Sequence, residues 1–462
     1  MWYITKNCNP KLKPELDRLV ENGQIAWHGL AFTSHTDFSS PDEYAETFRY
    51  SKELAQQYQK PLPIAAKMTD VPGHGFMLAD LLEQTGIHFL HLGCNEFATP
   101  PDVPDLFFWE GPGGGKVLTM YSKGGYGTGP FPTKDWPYPV WMALMHTHDN
   151  SGPQSATAIL KIIEQIRSEY PDAEIVCGTM DDFYRELAQC DLSNVPIIKK
   201  DLADTWIHGV SSYPKEISIV RQCRERARQL HSVYFDKLLA HSDGLSEIET
   251  LWNRYYDEIA LFEEHTWGAD VKTWLGPDRV YTKEEFLQAK KESRYQFMEK
   301  SWNEQRKRAY WAKQYLDQIE AMLKTSEAMH DCDGELQIEK IGDLINVISH
   351  RYQICFDGQN GKIQFVYDLK KKKMLLQAGE HGIFSYQYDR YGFDDINEFL
   401  REYGYHFRTW GIQDYGREAY PNCEHLTYEP KFSGWEIQNN KLCLYYQSDE
   451  SSKNMGMQRK FV

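Results

Sequence analysis

Along the 462-residue chain the pattern of apolar and polar positions changes character twice. In the first 214 residues, short apolar runs alternate with amphipathic segments. Residues 25–32 (IAWHGLAF), 62–70 (LPIAAKMTD), 87–93 (IHFLHLG), 116–122 (KVLTMYS), 140–147 (VWMALMHT) and 173–179 (AEIVCGT) read as strands. Residues 40–58, 75–86, 155–171 and 180–190 read as helices. The first of these has Ser40 as cap and Pro41 at its first position, and Gly86 closes the second. Strands alternating with helices imply a parallel sheet, open or closed into a barrel. In either form, function gathers at the carboxyl ends of the strands. Residues 215–330 carry helical periodicity with charged faces, the pattern of a helical bundle. From 331 to 462 the pattern turns to short β runs punctuated by turns such as DGQNG, the pattern of an antiparallel sheet or sandwich.

Charge narrows the partners. The formal net charge is −16, and the one dense basic run, Lys370–Lys373, falls between strand-like segments as a solvated turn. Nucleic acid is therefore not expected as a partner. No run of 18 or more apolar residues is present, so no membrane span is expected. Aromatic residues reach 14%, with 13 Trp and 29 Tyr, which suits stacking on sugar rings. Of nine cysteines none forms a CxxC pair, and Cys94, Cys177 and Cys355 sit in apolar contexts, as buried thiols of a reducing compartment would. The opening residues lack an apolar signal-peptide core. The chain as written reads as cytoplasmic; a longer chain with a leader would be periplasmic or secreted.

Chemistry-bearing residues collect at the ends of these strands. His35, Thr36 and Asp37 follow the first, and Asp70 and His74 follow the second within MTDVPGHGF. His146, His148, Asp149 and Asn150 follow a later strand, and Asp201, Asp204, Trp206 and His208 follow the next segment. Carboxylates and imidazoles at matching ends of several strands suit metal binding, or paired carboxylates in nucleophilic and acid/base roles. Each also has a plainer reading. Asp37 and Asp70 could cap helices, His74 could be a hydrogen-bonded core residue, the Asp149–Pro153 stretch could be an Asx-turn, and Trp206 and His208 could simply pack. In the helical region, FEEHTWGAD places His265 at a helix end before Trp267 and Gly268.

In order, these pieces resemble glycoside hydrolase family 38, the α-mannosidases, and the surrounding glycoside hydrolase/deacetylase barrel superfamily. AAKMTDVPGHGFMLADLL is similar to the family's Asp-Pro-Phe-Gly-His-Ser motif, CGTMDDFYRELAQ to its Gly-Thr-x-x-Glu-Tyr-Phe segment, and IETLWNRYYDEIALFEEHTWGAD to its zinc-binding His helix. The combination of DVPGH, PPDVPDLF and HTWGADVK looks most like an uncharacterised domain-of-unknown-function branch, number 5054. The resemblance implies a parallel β/α barrel over residues 1–214, incomplete at its amino end. A helical bundle (215–330) and a β-sandwich-like domain (331–462) would follow. It also implies a metal-dependent, retaining glycosidase or the remnant of one.

On that resemblance, Asp70 is nucleophile and metal ligand, His265 a ligand of Zn²⁺ or another divalent ion, and Asp149 the acid/base. His35, Asp37, His74, His148, Asn150, Trp206, His208 and Trp267 would line the carbohydrate site, and Tyr126 is a further stacking candidate. The family's opening His-x-Asp motif would lie about 100 residues before Asp70. His35–Thr36–Asp37 has its spacing but follows the wrong strand, so it is a substitute ligand pair or, the preferred reading, lines the substrate site. The family's Asp pair stands as Asp149–Asn150. Two other classes fit the same residues: a metal-dependent carbohydrate deacetylase on a related barrel, and a non-catalytic carbohydrate-binding protein. The sequence does not address oligomeric state.

Overall fold

The computed structural model describes residues 1–95, 100–123, 125–146, 152–203, 213–240, 245–269, 283–323, 336–379, 382–383, 387–403, 420–438 and 441–447. These fall into two compact units. One comprises the described residues of 1–323 with 400–403; the other comprises those of 336–399 and 420–447.

The first unit opens with four helices, α1 (Trp2–Asn7), α2 (Lys13–Glu21), α3 (Pro41–Glu46) and α4 (Arg49–Tyr58). A mixed sheet follows, with strands β1 (Ala65–Asp70), β2 (Phe89–Cys94), β3 (Leu106–Glu110), β4 (Lys116–Ser122) and β5 (Ile197–Ile198). Helices α5 (Met77–Gln84), α6 (Ala156–Glu169) and α7 (Met180–Leu187) are interspersed. The order across the sheet is β1-β2-β4-β3-β5. Strands β1, β2 and β4 run parallel, and β3 turns back antiparallel on β4.

The β3–β4 turn is the glycine-rich run 111–115. Its tightness has a cause: the Asp80 carboxylate accepts from the backbone N–H of Gly113 (2.8 Å) and Gly115 (2.7 Å). A Cβ on Gly111 would lie 2.4 Å from Asp80 Cγ, so only glycine permits the approach.

Side-chain alternation gives the sheet two faces. Ala66, Met68, Leu90, Leu92, Val117 and Tyr121 pack with Leu78, Ala79 and Leu82 of α5 and with Tyr44 and Phe48. On the other face, Ala65, Phe89, Leu118 and Met120 pack with Met142, Phe183 and Leu187, flanked by Trp136, Tyr138 and Trp141. Toward the carboxyl edge this second face becomes polar: Lys67, Thr69, His91, Gly93 and Ser122 occupy it.

Three long helices complete the unit: α8 (Pro214–Leu239), α9 (Leu245–Phe262) and, beyond the short α10 (Lys283–Ala289), α11 (Ser293–Leu323). Their shared core takes Val220, Ala227 and Leu230 from α8, Trp252, Tyr255, Ile259 and Phe262 from α9, and Ala309, Ala312, Leu316 and Ile319 from α11. Residues three and four apart supply these stripes, the spacing of one helix face. None of the described helices is long and apolar enough to cross a membrane.

The second unit is a meander of β6 (Gln337–Ile341), β7 (Leu344–Ile348), β8 (Tyr352–Asp357), β9 (Ile363–Asp368) and β10 (Lys373–Gln377), each antiparallel to the next. The hairpin β13–β14 (Lys431–Gln438, Lys441–Gln447) brings Trp435, Ile437, Leu442 and Leu444 onto Ile345, Val347 and Phe356. A shorter pair, β11–β12, joins Tyr388–Arg390 to Leu426–Tyr428. Lys370–Lys373 is exposed at the β9–β10 turn, which Asp368 closes by accepting from Lys371 N (2.8 Å).

The described strands of the first unit form a five-stranded mixed sheet. Several sequence expectations are corrected. Residues 25–32 make no strand: Trp27, Ala31 and Phe32 pack against the cluster of Trp2, Tyr50 and Tyr58 instead. Residues 140–146 are also irregular, and they cover the second sheet face as a loop. Residues 173–179 are irregular and largely exposed, with Val176 at 71%. Cys177 is exposed there, whereas Cys94 and Cys355 are buried as expected.

Candidate active site at the carboxyl edge of the sheet

Because β1, β2 and β4 are parallel, their carboxyl ends share one edge. Asp70 ends β1, Asn95 follows β2, and Tyr126 follows β4. Asp70 holds φ +85°, a left-handed conformation that a non-glycine residue adopts at a cost. The Val71–Pro72–Gly73 turn leads away from it and is held by Tyr121, whose hydroxyl donates to Pro72 O at 2.8 Å.

Three side chains converge on the Asp70 carboxylate. Asn95 Nδ2 donates to Oδ1 at 2.9 Å, and the Tyr126 hydroxyl donates to the same oxygen at 3.0 Å. His265 Nε2 meets Oδ2 at 2.6 Å. Burial alone would push this carboxyl up. The hydrogen bond and charge of His265, with the bonds from Asn95 and Tyr126, outweigh burial and hold it below the usual carboxylate range. The site therefore presents an anion.

His265 arrives from the far end of the chain, just beyond α9. Its backbone N–H donates to Thr33 O (2.9 Å), and Ser34 pairs with Glu264 in a short antiparallel bridge. Below it lies a buried ionic cluster. Arg224 of α8 donates to Glu43 (2.5 Å) and to Glu263 (3.1 Å), and both carboxylates are almost wholly buried. Ser39 donates a further hydrogen bond to Glu263. This cluster fastens the end of α9, and so fixes the imidazole two residues on. His35 packs edge-on against the His265 ring, with centroids 5.4 Å apart.

The other predicted residues fall as follows. Trp267 is buried and stacks on Phe262 (6.2 Å), and its ring also touches His35 (5.3 Å). It thus packs beneath the two histidines. His74 is fully buried and bonds to Thr36 Oγ1 at 3.0 Å through Nδ1. Its backbone pairs with Leu202 in both directions, and burial pushes its imidazole down to about 4. It braces the turn after Asp70 as a neutral ring. Asp37 is exposed on the surface beside Gly75. His148, Asp149, Asn150, Trp206 and His208 lie outside the described residues.

A zinc centre asks for three or four converging N, O or S ligands. Among the described residues no group of three or more His, Cys, Asp or Glu converges in that way. Asp70 and His265 touch each other directly, and the remaining partners of Asp70 are an amide and a phenol. The described residues do not by themselves fit a closed zinc site.

Two participants escaped the sequence reading. Asn95 stands where strand-end logic would have found it, one residue past β2. Lys67 was visible as a lone charge inside an apolar strand. Its ammonium donates to Tyr126 O at 2.8 Å, and burial pushes the amine down to about 7. The backbone of Tyr126 lies directly on Gly93: a Cβ there would sit 2.6 Å from the Tyr126 carbonyl oxygen.

Residues 237–454, just under half of the chain, match a family described as domain of unknown function DUF5054. That span includes His265 and excludes Asp70. A solved α-mannosidase from Enterococcus faecalis V583 is similar to the chain at 10% sequence identity and a TM-score of 0.47. The match covers 73% of this chain and 40% of that one, so the chain spans well under half of that protein's length. No curated protein matches the chain.

Proposed function

We propose that the chain is of glycoside hydrolase type, with Asp70 as the nucleophile of a retaining, α-mannosidase-like reaction on a carbohydrate. One observation carries this reading: a conformationally strained, ionised carboxylate at the carboxyl edge of a parallel sheet, held by three hydrogen-bond donors. In a retaining reaction, an Asp70 oxygen attacks the anomeric carbon while the glycosidic C–O bond breaks. The leaving oxygen takes a proton from an acid, the role proposed for Asp149. Water then cleaves the glycosyl ester with that residue acting as base. Asn95, Tyr126 and His265 favour the second step, since donors that stabilise the carboxylate make it a better leaving group.

An activated fluoroglycoside tests the assignment. Mass spectrometry should find the label on the peptide carrying Asp70, and Asp70→Asn should lower turnover by at least a thousandfold. Label on another carboxylate would remove Asp70 from the role. The divalent-metal reading rests on the Asp70–His265 pair. Elemental analysis of the purified chain tests it, and a metal-free chain that still hydrolyses a glycoside would remove it.

The direct Asp70–His265 contact favours one second reading. An aspartate-oriented imidazole can deprotonate water for attack on an N-acetyl group. Release of acetate without new reducing ends would select that carbohydrate deacetylase over the glycosidase.

A further inference from the structure

The polar half of the second sheet face holds a group of basic side chains that the proposed reaction does not use. Lys67 and His91 are direct cross-strand partners on β1 and β2. His28 and His146 lie near enough that their charges bear on His91, as does that of Lys67. Burial pushes His28 down to about 4 and holds His91 well below the usual imidazole range, so both are neutral rings beside the Lys67 amine. None of the described carboxylates forms an ion pair with Lys67, and its ammonium donates to the neutral carbonyl of Tyr126 at 2.8 Å.

Burying an ammonium without a counter-ion is costly, and folded proteins rarely tolerate it without a use. The surrounding chain is acidic overall, at −16, so a cation here without a described carboxylate partner runs against the mean field.

His91 adds a second observation. It is fully buried, and its Nε2 meets Ser122 Oγ at 2.9 Å. Its Nδ1 has no hydrogen-bond partner among the described residues. In the tautomer in which the Ser122 hydroxyl donates to Nε2, Nδ1 carries the proton and is a buried donor that an anion would satisfy. Solvent reaches this part of the face, where Lys67, Thr69, Ser122 and Tyr126 are only half-buried and His146 is exposed.

We propose that this patch is an anion subsite, and that the substrate is a glycoside carrying a negatively charged substituent: phosphate, sulfate or carboxylate. Its identification as part of a substrate site rests on the hydrolase reading; its affinity for an anion does not. Tyr126 sets the geometry. Its carbonyl receives Lys67 and its hydroxyl reaches Asp70, so one tyrosine separates the ammonium from the nucleophile. A sugar with its anomeric carbon at Asp70 would therefore bring a charged group on its far side to Lys67. The anion gains a charge-assisted hydrogen bond, and the amine gains the counter-ion it lacks.

Isothermal titration calorimetry on the full chain tests this with inorganic phosphate, sulfate and acetate, which distinguish the three substituents. At least one should bind one to one. Lys67→Met should weaken that binding at least tenfold, and Lys67→Arg, which keeps the charge, should retain most of it. No binding by any of the three, or unchanged affinity in a folded K67M chain, overturns the subsite. A wild-type measurement covers the case in which K67M does not fold. The bound anion should slow reductive methylation of Lys67 several-fold, read by mass spectrometry, and an unchanged rate overturns the proposal. The two readings separate cleanly. Anion binding with no glycoside turnover would remove the hydrolase and leave the subsite. Turnover of neutral glycosides with no anion binding would do the reverse.

Discussion

Lys67 makes a quantitative prediction about stability. Its amine titrates near 7 in the folded chain, against 10.5 ordinarily, because burial opposes the charged form. Between those values the unfolded chain binds a proton at this site and the folded chain does not. Stability contributed by the site therefore rises with pH across that window, by about 1.4 kcal/mol per pH unit. The full window sets a ceiling of about 5 kcal/mol, which residual hydration of the half-buried side chain reduces. Lys67→Met keeps most of the stem volume and removes the titration. Urea denaturation followed by far-ultraviolet circular dichroism, which reports mainly the helices of the first unit, should be run on both chains from pH 6.5 to 9.5. The wild-type chain should gain about 2 to 3 kcal/mol on the variant between pH 7 and 9. Below pH 7 the difference should level off, since both states are then protonated. The variant also loses the hydrogen bond to Tyr126 O, but that loss does not vary with pH in this way, so the slope and not the absolute difference is diagnostic. A flat difference between pH 7 and 9, or a wild-type chain that gains on acidification, would show that Lys67 is charged and paired. The basic-cluster argument would then fail.

Two further substitutions probe how the site is held. Gly93→Ala places a Cβ within 2.6 Å of the Tyr126 carbonyl, so Tyr126 must move and both Lys67 and Asp70 lose a partner. It should cost about 1 to 3 kcal/mol in denaturation and lower any glycosidase turnover at least tenfold; full activity would show that Tyr126 does not position the site. Arg224→Met leaves Glu43 and Glu263 buried without their cation, and should destabilise by about 3 to 5 kcal/mol by urea titration. A loss below about 1 kcal/mol would mean that the cluster does not anchor the end of α9.

The sequence disclosed elements wherever one physical requirement wrote a clean pattern, and misled where two requirements share a pattern. Strands β1, β2 and β4 are buried on both faces over much of their length, so they appear as apolar runs broken by few polar residues. Residues 25–32 and 140–146 have the same composition, but it reports burial and not hydrogen bonding. Trp27 and Phe32 bury themselves against helices, and Trp141 and Met142 bury themselves as a loop over the sheet. The candidate site shows the same division. His265 could be singled out because glycine and tryptophan after a helix end left its imidazole without an obvious core. Its meeting with Asp70, 195 positions earlier, depends on Thr33, Glu264 and the Arg224 cluster, none of which carries a local signal. Lys67 was the opposite case. Its signal was entirely local, a charge in the middle of AAKMTD. Its importance depended on one fact of tertiary structure: no described carboxylate answers it, and a backbone carbonyl does.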